Sequence, residues 1–128
     1  MRFATAALCA GLLLPLSARA ATTADNFLVN TTGDLVALCS SSTGDPNVTA
    51  AQNFCHGFMV GAYRVLSDWQ TARRAHFFCV PTPAPTRSEA VAAFLAWAQA
   101  NPARMSERPE DGVLRFLEET YSCKGKTK

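Results

Sequence analysis

The sequence predicts an all-α fold: a small disulfide-stapled bundle of about four helices with one proline-rich crossing loop. Three observations carry this. Apolar residues recur at three- and four-residue intervals through most of the chain, and no stretch reads convincingly as a strand. Four cysteines, Cys39, Cys55, Cys79 and Cys123, follow an N-terminal leader, an even number in a short chain that suits two disulfides. Pro81, Pro83 and Pro85 cluster after Cys79 and interrupt the helical pattern there.

The leader comes first. Residues 1–20 read as an export signal, with Arg2 as its charged start, residues 4–16 as its apolar run and Ala18-Arg19-Ala20 as an A-x-A cleavage site. Cleavage after Ala20 makes Ala21 the mature N-terminus. The apolar run is shorter than the roughly 20 residues that span a bilayer. Cys9 lies inside it with further apolar residues behind, a poor lipidation box, so release rather than anchoring is expected. The alanine-rich leader is of bacterial type, which makes the compartment the periplasm. No later stretch is apolar enough to cross a membrane.

Residues 21–128 then form one domain with a modest core. Arg2 and Arg19 leave with the leader, so 10 basic side chains face 10 acidic ones in what remains. A near-neutral domain lacks the basic footprint of a nucleic-acid binder.

Thr31 and Thr32 are candidate N-caps for a short helix to about Ser41, with Leu35, Leu38 and Cys39 on one side. Residues 40–47, S-S-S-T-G-D-P-N, are loop by composition. Thr49 and Gln52 have the spacing of a capping box, from which a long helix runs to about Ala72. On that helix Ala51, Phe54, Cys55, Phe58, Ala62, Val65, Leu66 and Trp69 share one face and read as the core stripe. Thr86 and Glu89 repeat the capping-box spacing and open a helix carrying Val91, Phe94, Leu95 and Ala98, ended by Asn101-Pro102. A last helix from about Pro109 to Tyr121 carries Val113, Leu117 and Tyr121 in register, with Leu114 and Phe116 on its flanks.

The stretch N-F-C-H-G-F-M-V-G-A-Y at 53–63 invites four chemical readings. A cysteine nucleophile needs a base within hydrogen-bond reach. Adjacent helical residues point about 100° apart, so His56 cannot readily face Cys55, and it falls towards solvent. Haem attachment needs C-x-x-C-H, and Gln52 stands where the first cysteine belongs. Cys55-His56 with His76 and Cys79 is a formal zinc set, but its spacing is not that of a zinc site, and exported thiols pair with each other. No catalytic constellation, metal or cofactor is expected. Gly57 and Gly61 match G-x-x-x-G on a helix too polar for a membrane. Each costs about 1 kcal/mol relative to alanine, for which close packing by another helix of the same chain is the natural compensation. A homodimer seam is the alternative. Tyr63, Phe77, Phe78 and Trp97 are aromatics divided between core cover and interface, and Arg73-Arg74 suits a solvated helix end.

The order of these pieces resembles the type VI secretion amidase-immunity proteins, the Rap/Tai group of small periplasmic antitoxins. The matching residues are T-G-D-L-V-A-L-C at 32–39, C-H-G-F-M-V-G-A-Y at 55–63, F-C-V-P at 78–81, A-N-P-A-R at 100–104 and Y-S-C at 121–123. The resemblance implies an immunity-like helical domain over 21–128, often dimeric and without catalysis of its own. Its protein partner would be a cell-wall amidase toxin whose active-site cleft it blocks. Four cysteines allow three pairings, which sequence does not settle. The favoured one joins Cys39 to Cys55, which a fold-back over the loop near residue 47 brings together, and Cys79 to Cys123. The partner-binding residues are unknown from sequence. The alternative function is a small acid-activated periplasmic chaperone, in which protonation of Glu107, Glu110, Asp111, Glu118 and Glu119 would release an apolar surface on the last helix.

Overall fold

The computed structural model describes residues 20–123; the leader up to residue 19 and the tail at 124–128 lie outside the described residues, and with them most of the export-signal reading. Among the described residues there are four α-helices and no strand: α1, Thr32–Cys39; α2, Val48–Ala72; α3, Arg87–Ala100; and α4, Pro109–Thr120. Short 3-10 turns lie at Ala24–Leu28 and Pro102–Arg104. The shortest helix is the hub, because α1 touches all three others and the first 3-10 turn. Its Leu35 and Leu38 are wholly buried.

The N-terminus of α1 is satisfied from two directions. Thr31 Oγ1 accepts from the Asp34 N–H at 3.1 Å, and the Asp34 carboxylate accepts from the Thr31 N–H at 3.0 Å, a reciprocal capping box. The next two donors reach across the fold, Thr32 N to Glu107 O at 2.7 Å and Gly33 N to Met105 O at 2.9 Å. Thr32 Oγ1 also donates to the carbonyls of Glu107 and Arg108. These bonds leave no first-turn N–H of α1 unpaired.

The capping box at Thr86 and Glu89 forms as the spacing predicts. The one at Thr49 and Gln52 does not. α2 begins earlier, at Val48, with Asn47 as its N-cap. Asp45 organises this entry, accepting from the Asn47 N–H, the Thr22 N–H, the Thr22 hydroxyl and the Ser41 hydroxyl, all at 2.8 Å. With the turn fixed upstream, Thr49 is drawn into the first helical turn. The Gln52 amide is left to donate to Ser41 O at 3.0 Å.

The core stripe of α2 is also rotated from the expected one. Ala51, Cys55 and Met59 are buried, and Phe58, Ala62 and Leu66 pack partly against the core. Val65 is 68% exposed, and Phe54 and Trp69 are surface aromatics. A one-sided average over 25 residues weights every apolar side chain equally, whereas the neighbours α1, α3 and α4 occupy only one flank of the helix.

The core continues through Phe78, Val91, Phe94, Trp97, Val113, Phe116 and Leu117. Phe94, Trp97, Phe116 and Tyr121 form a connected set of ring contacts, with Phe94 edge-on to Phe116 at 5.5 Å. The Trp97 indole N–H donates to Glu119 at 2.7 Å, so the buried ring keeps its polar tip satisfied.

Two disulfides staple this arrangement. Cys39 joins Cys55 and Cys79 joins Cys123, with Cα–Cα distances of 5.1 and 4.9 Å. The first ties α1 to α2. The second ties the chain after α2 to the end of α4.

α2 ends in a Schellman motif, with Ala75 N donating to Gln70 O and Arg74 N to Thr71 O. Arg74 holds the left-handed position, φ 51°, where glycine is usual. Arg73 folds its guanidinium over the Trp69 ring, 4.8 Å from the centroid, and Trp69 stacks on Phe77.

Candidate protein-interaction site

The second disulfide fixes an unusual wall. After α2, the chain is held by the Gln70 side chain, whose Oε1 accepts from the N–H groups of Phe77 and Phe78, and by Phe78 itself, only 2% exposed. Cys79 N then donates to Tyr121 O at 2.6 Å beside the Cys79–Cys123 bridge. From this anchor the proline-rich stretch, with a cis bond at Thr82–Pro83, runs to the Thr86 cap of α3. It crosses the bundle without adding a helix, because its prolines lack N–H donors and fix φ.

Between this wall and the helices lies a groove of about 280 Å³. Its floor is apolar: Met59 from α2, Val91 from α3, and Val113, Phe116 and Leu117 from α4. Val80, Ala84 and Pro85 form the wall. The rim carries His56, Tyr63 and Arg64 of α2, Arg87 at the start of α3, and Tyr121 after α4. No aspartate or glutamate lines the groove. Burial first, and then the nearby Glu89 carboxylate, push the Tyr121 hydroxyl above its ordinary value of 10, so it stays a neutral donor at physiological pH. The carboxylate of Glu89 is turned back onto Thr86 at 2.7 Å and held below its ordinary range by that hydrogen bonding.

His56, expected in solvent, is therefore half-buried at the groove edge. It has no thiolate beside it, since Cys55 is fully buried and bonded to Cys39. The formal zinc set is likewise dissolved, because both of its cysteines are half-cystines with different partners. Among the described residues no group of three or more histidine, cysteine, aspartate or glutamate side chains is placed to hold a metal. No described helix is long and apolar enough to cross a membrane.

The expectation for Gly57 and Gly61 requires correction. Both are exposed, and a Cβ built at either would meet nothing within 4 Å. Among the described residues no other helix approaches either of them. The close approach is elsewhere. A Cβ on Gly112 of α4 would stand 2.3 Å from Thr32 Oγ1, and one on Gly33 would stand 3.2 Å from Met105 O. Sequence reasoning missed Gly112, although its place three residues into a helix opened by Pro109 was a visible anomaly. It also missed the groove, whose lining comes from three separated stretches, 56–64, 80–91 and 113–121.

The family model of the Rap1a immunity proteins matches residues 31–123. The chain belongs to this family. The matched span opens at the N-cap of α1 and closes at the last half-cystine, so the Rap1a-family unit contains all four helices, both disulfides and the groove. No curated protein and no solved structure matches the chain at the significance required. Membership in the Rap1a family makes the protein a non-enzymatic immunity protein, with a cognate toxin effector as the implied partner. With its two disulfides it also marks the chain as extracytoplasmic.

Proposed function

We propose that this Rap1a-family protein is a periplasmic inhibitor that binds a peptidoglycan amidase effector of type VI secretion and blocks its active-site cleft. The observation that carries this reading is the family match over nearly the whole described chain. Two disulfides across a helical core support it physically, since a pre-ordered surface loses little conformational freedom on binding. Export would be followed by cleavage after Ala20. The open space at Gly57 and Gly61 among the described residues favours the homodimer seam over intrachain packing as the reason for that glycine pair.

The test is direct. The reading predicts an amidase gene beside this one; purified residues 21–128 are mixed with its product, and peptidoglycan hydrolysis is followed. Stoichiometric loss of hydrolysis is expected. Unchanged hydrolysis at a several-fold excess of the protein sinks the proposal. N-terminal sequencing of periplasmic material tests the cleavage site, and sedimentation of Gly61→Leu against wild type tests the dimer.

A further inference from the structure

The groove is apolar below and cationic above. Arg64 and Arg87 stand on its rim from two different helices, and among the described residues neither makes an ion pair or hydrogen bond. Of the other described arginines, all but Arg74 at the end of α2 have a side-chain partner. Arg104 and Arg115 close on Glu107, Arg108 pairs with Glu110, and Arg73 covers Trp69. Arg87 is also in an unfavourable place for the fold. It occupies the first position of α3, where the helix dipole presents partial positive charge and a cation is disfavoured. The carboxylate that could neutralise it, Glu89, is committed to Thr86. Two unpaired guanidiniums flanking an apolar floor gain nothing for stability and describe a complement: an apolar side chain with carboxylates beside it.

We infer that the groove is the docking site for an acidic-flanked apolar loop of the effector, its apolar residue seated over Met59 and Phe116 and its carboxylates paired to Arg64 and Arg87. The inference rests on the proposed inhibitor function and adds the surface and the chemistry of the contact. Volume agrees with this occupant, because about 280 Å³ accepts one or two side chains. A second copy of the chain is the competing occupant, since exposed Leu28 lies three residues from Asp25 and exposed Val65 three residues from Asp68; the effector is taken as the occupant because the inhibitor function requires a contact with it, and the dimer arm of the experiment separates the two.

The experiment uses residues 21–128 and the catalytically inactivated amidase encoded beside this gene, with affinity measured by calorimetry at two salt concentrations. Wild type is expected to bind more weakly at high salt. Arg64→Glu with Arg87→Glu is expected to weaken binding by at least about 30-fold and to flatten the salt dependence, the size of losing two interfacial charge pairs. Ala84→Trp, which fills the groove from its exposed wall, should weaken binding comparably. Both variants alter exposed residues, and unchanged melting shows that they fold. Gln99→Glu, exposed at the end of α3 away from Arg87 and outside the groove, should leave affinity unchanged. Affinity that persists through the arginine and Ala84→Trp variants, or is lost on Gln99→Glu instead, overturns the groove while leaving the inhibitor function standing. Dissociation of a wild-type dimer by Ala84→Trp assigns the groove to a second copy and also overturns the inference. A wild type that does not bind the amidase removes both.

Discussion

Gly112 and Thr32 make the tightest approach at any glycine among the described residues: the α4 backbone lies against the Thr32 side chain with no room for even a methyl group. The same threonine hydroxyl bonds the carbonyls that lead into α4, at Glu107 and Arg108. The contact therefore sets both the separation and the register of α1 against α4.

Gly112→Ala is accordingly expected to destabilise the fold by about 2–3 kcal/mol, the upper part of the range for overpacking, because the obstructing atoms belong to a short, hydrogen-bonded side chain. In the monomer, at concentrations too low for a dimer, Gly57→Ala and Gly61→Ala should do the reverse, each stabilising by about 1 kcal/mol, since both gain helix propensity in open space within the chain. Urea denaturation of the three variants checks the opposite signs. A destabilised Gly61→Ala would show that something packs on that flank.

Arg74→Gly should raise stability by roughly 0.5–1 kcal/mol. The left-handed conformation at φ 51° costs a side-chain-bearing residue about 1–2 kcal/mol, partly offset by the greater freedom of glycine in the unfolded chain. Thermal melting of the variant decides this. A lower melting temperature would mean that the Arg74 side chain contributes contacts exceeding the backbone cost.

Removing Cys39–Cys55 frees a 16-residue separation, and removing Cys79–Cys123 frees one of 44. Loop entropy then predicts losses of about 3 and about 4 kcal/mol respectively. Paired cysteine-to-alanine variants should keep that order in denaturant midpoints, with the first raised further by loss of packing at buried Cys55. Limited proteolysis should cut the proline-rich wall only in the second variant.

Stability should fall in acid, with a definite sign. The backbone N–H groups of Thr22 and Asn47 lead the contacts that hold the Asp45 carboxyl down at about 2, against an ordinary 3.8. Asp34 is lowered by its hydrogen bonds to Thr31 and Asn26, which outweigh the opposing effect of its burial, and the Arg104 hydrogen bond lowers Glu107. Folded-state values below the unfolded ones mean that stability is complete above about pH 4.5 and is lost as pH falls towards 2. Urea midpoints measured from pH 7 to 2 should be flat and then drop, and Asp45→Asn should show a smaller drop. Binding of an apolar dye without loss of tertiary structure at pH 2–3 would instead favour the acid-activated chaperone.

Much of the fold was legible because its signals are local. Thr31 with Asp34 and Thr86 with Glu89 are separated by three residues, and both act through their own helix ends. Thr49 with Gln52 has the same spacing and fails, because Asp45 and Thr22, 23 residues apart, determine the entry of α2. The glycine roles were inverted for a similar reason. A helix-interior glycine announces a cost, but whether a neighbour meets it depends on residues such as Thr32 and Gly112 that only the tertiary fold brings together. Arg64 and Arg87 are unremarkable surface cations until the crossing segment and α3 place them on one rim.

The bonds from Thr32 and Gly33 to residues 105–108 span most of the domain, with 75 residues between Thr32 and Glu107. A polypeptide emerging with its amino end first presents α1 before the carbonyls that complete it exist in the compartment. The N-terminus of α1 is therefore completed only when the carboxyl-terminal third is present, a contact of long sequence separation that slows folding. During that interval Cys39 and Cys55 are already present, so the oxidising machinery can join them first and hold the incomplete chain near its final shape.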